Sequence, residues 1–465
     1  MKLFRMLPVA ALMATSMSAM ADSTIDIVNT LVAKGVLTEE EGKLLTKGRE
    51  SEKSSQDKAL EKATKSGGKI TISDAIDNAT FYGDIRARYE YRDGEDKANF
   101  SEDRERGRYK LILGVKTTAG DFYSDIALSM GSGGRSDNAT FGNGANGSNS
   151  KENVYVKRAM LGWNVTDWLK IEAGRVANPL YTTSMVWDGD LTFEGLVEKV
   201  NYKYGKNVEL FGNFAQSQYR GDRKDFTNTT DDRATNNILA FQGGAKFDIT
   251  DTVSAKAALT FTKFTNDHAD GASTFVPGLG NVSGKGIAVG TGLTATNDIR
   301  TIEIPAEIAF KLANNMKLTA FGDYAYNLDG DDRFKAAVAA AGANSAAIRA
   351  AGNDDKAWLL GVGLDQRQSK KAQKGDWSAK LWYQDVGIYA LDPNAVDSDF
   401  MDSRVNMKGV VLKAEYLLRD NVVLNLAAGH ATRKNNKLAA AGSGGDIELN
   451  LDNYNLYQMD ITYKF

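Results

Sequence analysis

The 465-residue chain has no cysteine, two histidines and only five prolines. The missing cysteines exclude disulfides, thiolate chemistry, iron–sulfur clusters and covalently attached c-type haem. His268 and His430 stand far apart, the first in an expected loop and the second on the outward side of an expected strand. Such a pair makes neither a metal site nor a catalytic triad. A Gly-x-Ser-x-Gly elbow is also missing, which argues against a serine hydrolase. Gly278-Leu-Gly280 and Gly284-Lys-Gly286 have no strand–turn–helix around them, so they cradle no phosphate. No enzyme, cofactor or metal reading follows. Beyond residue 21 there is no apolar run of about 18 residues, so no membrane-crossing helix is expected. Charge of one sign is lacking too: the net formal charge is -3, and -5 once Lys2 and Arg5 are removed. That balance gives no footing for nucleic acid.

What is present begins with an export signal. Lys2 and Arg5 precede the mostly apolar stretch from Leu7 to Met17, and Ala19-Met-Ala21 is a small-x-small cleavage site. Residues 1–21 are therefore read as a signal peptide. Residues 22–50 read as a helical, coiled-coil-like segment: Ile25, Val28, Leu31 and Val32 form an apolar stripe, Gly35 breaks it, and Thr38-Glu-Glu-Glu41 is a capping box. The segment is too short for a domain, and its stripe asks for a partner, either another copy or the rest of the chain. Residues 51–78 are charged and rich in Ser, Gly and Lys, as in a linker. About 440 exported residues would allow two or three soluble domains. The pattern that follows argues for one.

From Thr80 the side chains change to a period of two. Phe81, Gly83, Ile85, Ala87, Tyr89 and Tyr91 lie on one face of a strand, and Tyr82, Asp84, Arg86, Arg88, Glu90 and Arg92 on the other. The final strand does the same, with Tyr457, Met459, Ile461, Tyr463 and Phe465 alternating with Gln458, Asp460, Thr462 and Lys464. Sixteen such segments are expected, near 80–92, 105–118, 121–131, 153–166, 168–177, 191–204, 206–219, 235–249, 252–265, 299–313, 316–327, 356–368, 376–389, 407–419, 421–433 and 451–465. Most run well past the soluble-strand mode of about 5–6 residues. At about 3.3 Å per residue and 40° of tilt, 11 residues rise about 28 Å, close to the apolar band of a membrane barrel. Short turns such as Thr166-Asp167, Thr250-Asp251 and Asn314-Asn315 alternate with long polar loops, including 132–152, 178–190, 266–298, 328–355 and 390–406. The Gly/Ser-rich 131–150 and Ala-rich 336–351 stretches fall in those loops. The fold expected over 79–465 is an all-β, 16-stranded antiparallel up-and-down transmembrane β-barrel, behind the short N-terminal helical segment. The last strand closes against the first, removing both edges.

The order of several short stretches resembles the putative-porin family of Gram-negative outer membranes, and more distantly the phosphate-selective porins. They are Lys34-Gly-Val-Leu-Thr-Glu-Glu, Tyr82-Gly-Asp-Ile-Arg-Ala-Arg-Tyr-Glu90, Ala173-Gly-Arg175, Val186-Trp-Asp-Gly-Asp190 and Asp397-Ser-Asp-Phe400 followed by Lys408-Gly409. The resemblance implies an outer-membrane homotrimer, seated in outer-membrane lipid, through which small hydrophilic solutes or ions diffuse. It also makes Tyr463 and the terminal Phe465 the signal read by the barrel assembly machinery.

A pore needs a constriction, where width and field decide what passes. Strand parity turns Arg86, Arg88, Arg92, Arg108, Lys110, Lys116 and Arg158 into the lumen as a basic wall. Acidic inward positions include Asp84, Glu90, Glu303, Glu307, Asp323 and Glu415. If loop 178–190 folds inward, Asp188 and Asp190 supply a facing acidic side and a transverse field. Arg175 has outward parity, which requires a rim position or a bulge. The alternative reading is a barrel that works as an adhesin or receptor through its long loops.

Overall fold

The computed structural model describes residues 75–96, 98–131, 136–143, 146–220, 236–264 and 299–465, apart from scattered loop positions, and six positions between 31 and 41. The signal peptide (1–21), most of the linker and His268 lie outside the described residues. The chain divides into Met1–Thr71 and Ile72–Phe465. In the first unit the Thr38 Oγ1 donates to Glu41 Oε2 at 2.8 Å, and the Thr38 backbone N–H reaches the same oxygen at 2.9 Å. The Glu41 N–H returns a bond to Thr38 Oγ1 at 3.3 Å, completing the reciprocal cap.

In the second unit the period-two segments form strands. They are β1 (Asn78–Asp96), β2 (Ser101–Ala119), β3 (Phe122–Gly131), β4 (Asn153–Asn164), β5 (Leu169–Ala177) and β6 (Thr192–Tyr204). Next come β7 (Val208–Arg220), β8 (Asn236–Asp248), β9 (Val253–Phe264), and β10, which pauses at Pro305 between Arg300–Glu303 and Ala306–Lys311. The circuit ends with β11 (Met316–Asn327), β12 (Lys356–Gln366), β13 (Trp377–Val386), β14 (Met407–Arg419), β15 (Val422–Arg433) and β16 (Leu451–Lys464). Each pairs antiparallel with its chain neighbours, and β16 pairs with both β15 and β1, giving a closed sixteen-stranded barrel. At the seam Asp84 faces Lys464, and the Gly83 and Phe465 backbones exchange hydrogen bonds of 2.9 and 3.1 Å.

The barrel inverts the polarity of a soluble protein. Phe81 is 56% exposed and Leu360 64%, whereas Glu90, Arg92 and Glu303 are each 1% exposed or less. An apolar outside and an ionic inside fit lipid around and polar surroundings within. At one end the turns are tight. Asn314 and Asn315 both take positive φ, 58° and 56°, the two-residue hairpin geometry that asparagine tolerates.

Local departures have local causes. The β3–β4 register slips between Ala127 and Leu128, leaving Lys157 as the extra residue. The Arg175 guanidinium donates to the Lys157 carbonyl at 3.1 Å and pairs with Glu194. Its outward parity therefore comes with a neighbouring bulge. Gly174 beside it has φ 114°, and a Cβ there would meet the Ala159 carbonyl. The Ala-rich stretch, expected as loop, is helical instead: α1 (Gly330–Ala341) and α2 (Ala346–Ala351). Alanine's high helix propensity, with Asp331 paired to Lys335 one turn on, outweighs the low complexity of the stretch.

Candidate functional site

The inner face of β1, β2 and β16 carries the basic wall. Register sets Arg86 opposite Lys110, Arg88 opposite Arg108, Glu90 opposite Arg106 and Arg92 opposite Arg104. Like charges in direct opposition repel, so the wall needs acids among them. Glu90 is one, accepting from Arg106 at 2.7 Å, Arg92 at 3.1 Å and Gln458 at 2.7 Å. Asp460 is a second, gripped by both arms of the Arg88 fork at 2.7 and 2.9 Å.

The remaining acids come from loop 387–406, between β13 and β14, which folds into the barrel. Asp399 bonds Arg88 at 3.2 Å and Arg92 at 3.0 Å, and Asp402 lies 3.2 Å from Arg92. The Ser398 carbonyl accepts from Arg92 at 2.9 Å, and the Tyr454 hydroxyl donates to the Asp399 carbonyl at 2.8 Å. Burial alone would raise the Asp399 carboxyl, but the Arg88 and Arg92 guanidiniums hold it well below the usual carboxylate range. Asp397 has less help: burial pushes it up against the pull of Lys413.

Loop 178–190, between β5 and β6, also folds inward and is pinned to the far wall. Tyr181 and Gln242 on β8 exchange two hydrogen bonds of 2.8 Å. The Thr182 hydroxyl donates to Glu303 on β10 at 2.5 Å, and Thr183 to Asp323 on β11 at 2.6 Å. The two inward loops are tied to each other as well. The Asp188 N–H donates to the Ala395 carbonyl at 2.6 Å, Ser398 N–H donates to Asp188 at 3.0 Å, and Asp397 N–H donates to the Ser184 carbonyl at 3.1 Å. Met185, Val186 and Trp187 share one buried apolar cluster with Ile388, Leu391, Val396 and Phe400. This core joins the loops to inward apolar residues of the wall, among them Phe193, Val197, Leu359, Trp382 and Val411.

The sequence-read site residues separate into groups. Arg88, Arg92 and Arg108 are buried in the ion-pair lattice, Arg108 also donating to Ser136 at 3.0 Å. Arg86 bonds Asn138 and lies 3.5 Å from Asp460. Lys110 pairs with Asp84 at 3.0 Å, Arg158 with Asp125 at 2.7 Å, and Lys116 sits over the Tyr82 ring at 5.1 Å. Asp188 is buried and spent on holding the loops together. Its Oδ1 also accepts the Asp190 N–H at 2.9 Å. Burial, reinforced by Asp188, raises the Asp190 carboxyl to about 6. Tyr463 and Phe465 lie exposed on the outer face, their ring centroids 5.9 Å apart.

Sequence reasoning named Glu90 as an inward acid but missed Asp399 and Asp402, the loop acids that complete the wall. Asp399 sits in a stretch quoted for its resemblance, but no side-chain period marks a loop that turns inward. Arg106 shares the inward parity of Arg108, so the alternation could have found it. Beside loop 178–190 two cavities remain. One, of about 700 Å³, is edged by Thr183, Glu307, Lys317, Lys380 and Glu415. The other, of about 480 Å³, lies between Tyr181 and the wall of β6–β9.

A closed barrel, lipid-facing outside and ionic within, narrowed by loops pinned across its lumen, defines an outer-membrane β-barrel channel. The chain belongs to the family described as "Putative porin", which it matches over residues 75–285 and 287–439. No curated protein is matched. Among solved structures, the outer membrane channel DcaP of Acinetobacter baumannii is similar at 14% identity and a TM-score of 0.43, over 84% of this chain and 99% of that one. The anion-selective porin from Comamonas acidovorans gives 12% and 0.43, over 83% and 99%. OmpF of Salmonella typhi, in complex with daunomycin, gives 13% and 0.45, over 85% and 100%.

Proposed function

We propose that this channel passes small hydrophilic solutes and ions by diffusion, prefers anions, and works as a homotrimer in outer-membrane lipid. The observation that carries the reading is the pinned loop 178–190. It crosses the lumen to Gln242, Glu303 and Asp323 yet leaves cavities of about 700 and 480 Å³ beside it. A narrowed but unfilled lumen supports selection by size and charge. Arg86, Lys110, Lys116 and Arg158 keep part of their surface free on the wall, and they bias the path toward anions. Arg88 and Arg92 serve as posts that hold loop 387–406 and, with Arg108 beside them, set its field, with Asp188 and Asp190 as the acidic counterpart.

The test is a planar bilayer with a KCl gradient. The reading predicts discrete conductance steps and an anion-selective reversal potential. Arg86→Ser with Arg88→Ser moves that potential toward cations; an unmoved potential removes the wall from the selectivity path. Crosslinking read beside a heat-modifiability gel gives a trimer, and a monomer alone would overturn that part.

A further inference from the structure

The opposite side of the lumen carries a row of charges that, among the described residues, is not drawn into close ion pairs. One row of cross-strand neighbours runs Lys203, Glu209, Lys246, Lys256 and Glu307 over β6 to β10. Unlike the arginines of the β1–β2 wall, none of these five makes an ion pair within 4 Å among the described residues. Lys246 and Lys256 are direct cross-strand partners. Such partners hold their Cβ atoms about 4.5–5.5 Å apart and repel. Glu209 opposite Lys246 and Glu307 opposite Lys256 offset part of that repulsion, and an anion between the two ammoniums would offset more.

The surroundings fit one kind of anion. The Lys256 ammonium lies 3.7 Å from the Tyr181 ring centroid and 5.0 Å from that of Phe211. The aromatic faces thus stand in for a counter-charge. The two rings meet edge to face at 6.3 Å. Phe211 occupies a seat made by Gly244, where a Cβ would come within 2.2 Å of its ring tip. Tyr181 is fixed by its two backbone bonds to Gln242, whose side chain also takes the Asn213 amide at 3.0 Å. All of these except Gln242 and Gly244 line the cavity of about 480 Å³, within the usual range for a small-molecule pocket.

We propose that Lys246, Lys256, Tyr181 and Phe211 form a subsite on the permeation path for a small aromatic carboxylate. The two ammoniums take the carboxylate and the ring pair takes the flat apolar part. This rests on the diffusion-channel reading above and names the solute class it favours.

The experiment uses the full-length protein in a planar bilayer, with benzoate as the probe and acetate and benzyl alcohol as half-probes. Benzoate interrupts the KCl current in a concentration-dependent way. Acetate and benzyl alcohol each need at least about tenfold more, since each lacks one half of the contact. Lys246→Gln with Lys256→Gln raises the half-blocking benzoate concentration at least about tenfold, and the double arginine variant restores it. The subsite is overturned if benzoate leaves a KCl-conducting wild-type channel undisturbed. Equal block of wild type and the glutamine variant overturns it too, as does acetate or benzyl alcohol matching benzoate. If the glutamine variant does not assemble, as a heat-modifiability gel will show, the wild-type comparison of the three probes decides. A wild-type protein that conducts no KCl overturns the channel reading itself, which separates the two failures.

Discussion

Arg92 bonds four acceptors at once: Glu90, Asp399, Asp402 and the Ser398 carbonyl. Removing one partner from a buried ionic group costs about 3–5 kcal/mol, because the others are left uncompensated. Arg92→Gln should therefore loosen loop 387–406. The readout is trypsin cleavage at Arg404, which is 1% exposed in the intact loop and should become a fast site. Asp399→Asn should do the same more weakly. Because Asp399 is held below the usual range, its contribution is present above the unfolded carboxylate pKa and is lost only as pH falls through the depressed value. The clamp should thus survive at about pH 4. Asp190 runs the other way. Its carboxyl is raised to about 6, so its ionised form is penalised, and the cost grows from the unfolded value near 3.8 up to that point. Lowering the pH from 7 to 5 should neutralise Asp190, remove one negative charge beside the constriction and shift the reversal potential further toward anions. Asp190→Asn should abolish that shift.

At the scale of elements, the strands and the loops answer to different physics. Lipid on one side and a largely polar lumen on the other favour alternation along the strands, and a period of two is visible in a single sequence. All sixteen segments were legible for that reason, as was closure of β16 on β1. The hairpin turns at Asn314-Asn315 and Gly205 were legible through residues that accept positive φ. Loop 387–406 was not, because its inward course depends on Asp399 and Asp402 meeting arginines some 300 positions away. Its residues carry no period. Loop 178–190 could be placed inward only as a condition, since Thr182 and Thr183 give no hint of the carboxylates they reach. Those two tethers make a prediction at this scale. Thr182→Val with Thr183→Val takes the two hydroxyl donors away from Glu303 and Asp323. The loop should then wander, giving larger and noisier single-channel currents; unaltered current traces would show that the tethers do not set the aperture.

For the whole molecule, the features converge on a container whose wall is finished and whose contents set its use. The seam places Phe465 against Gly83, with its ring exposed on the outer face beside Tyr463. Deleting Phe465 should lower the yield of heat-modifiable barrel in the outer membrane more than it alters the conductance of the barrels that do form. Normal assembly without it would remove its proposed part as an assembly signal. The central claim is an open lumen narrowed by two inward loops, and single-channel recording of the purified wild-type protein in a planar bilayer tests it most directly. The account predicts stable conductance steps of one consistent size with an anion-selective reversal potential, and a correctly folded, heat-modifiable barrel that conducts nothing would contradict it.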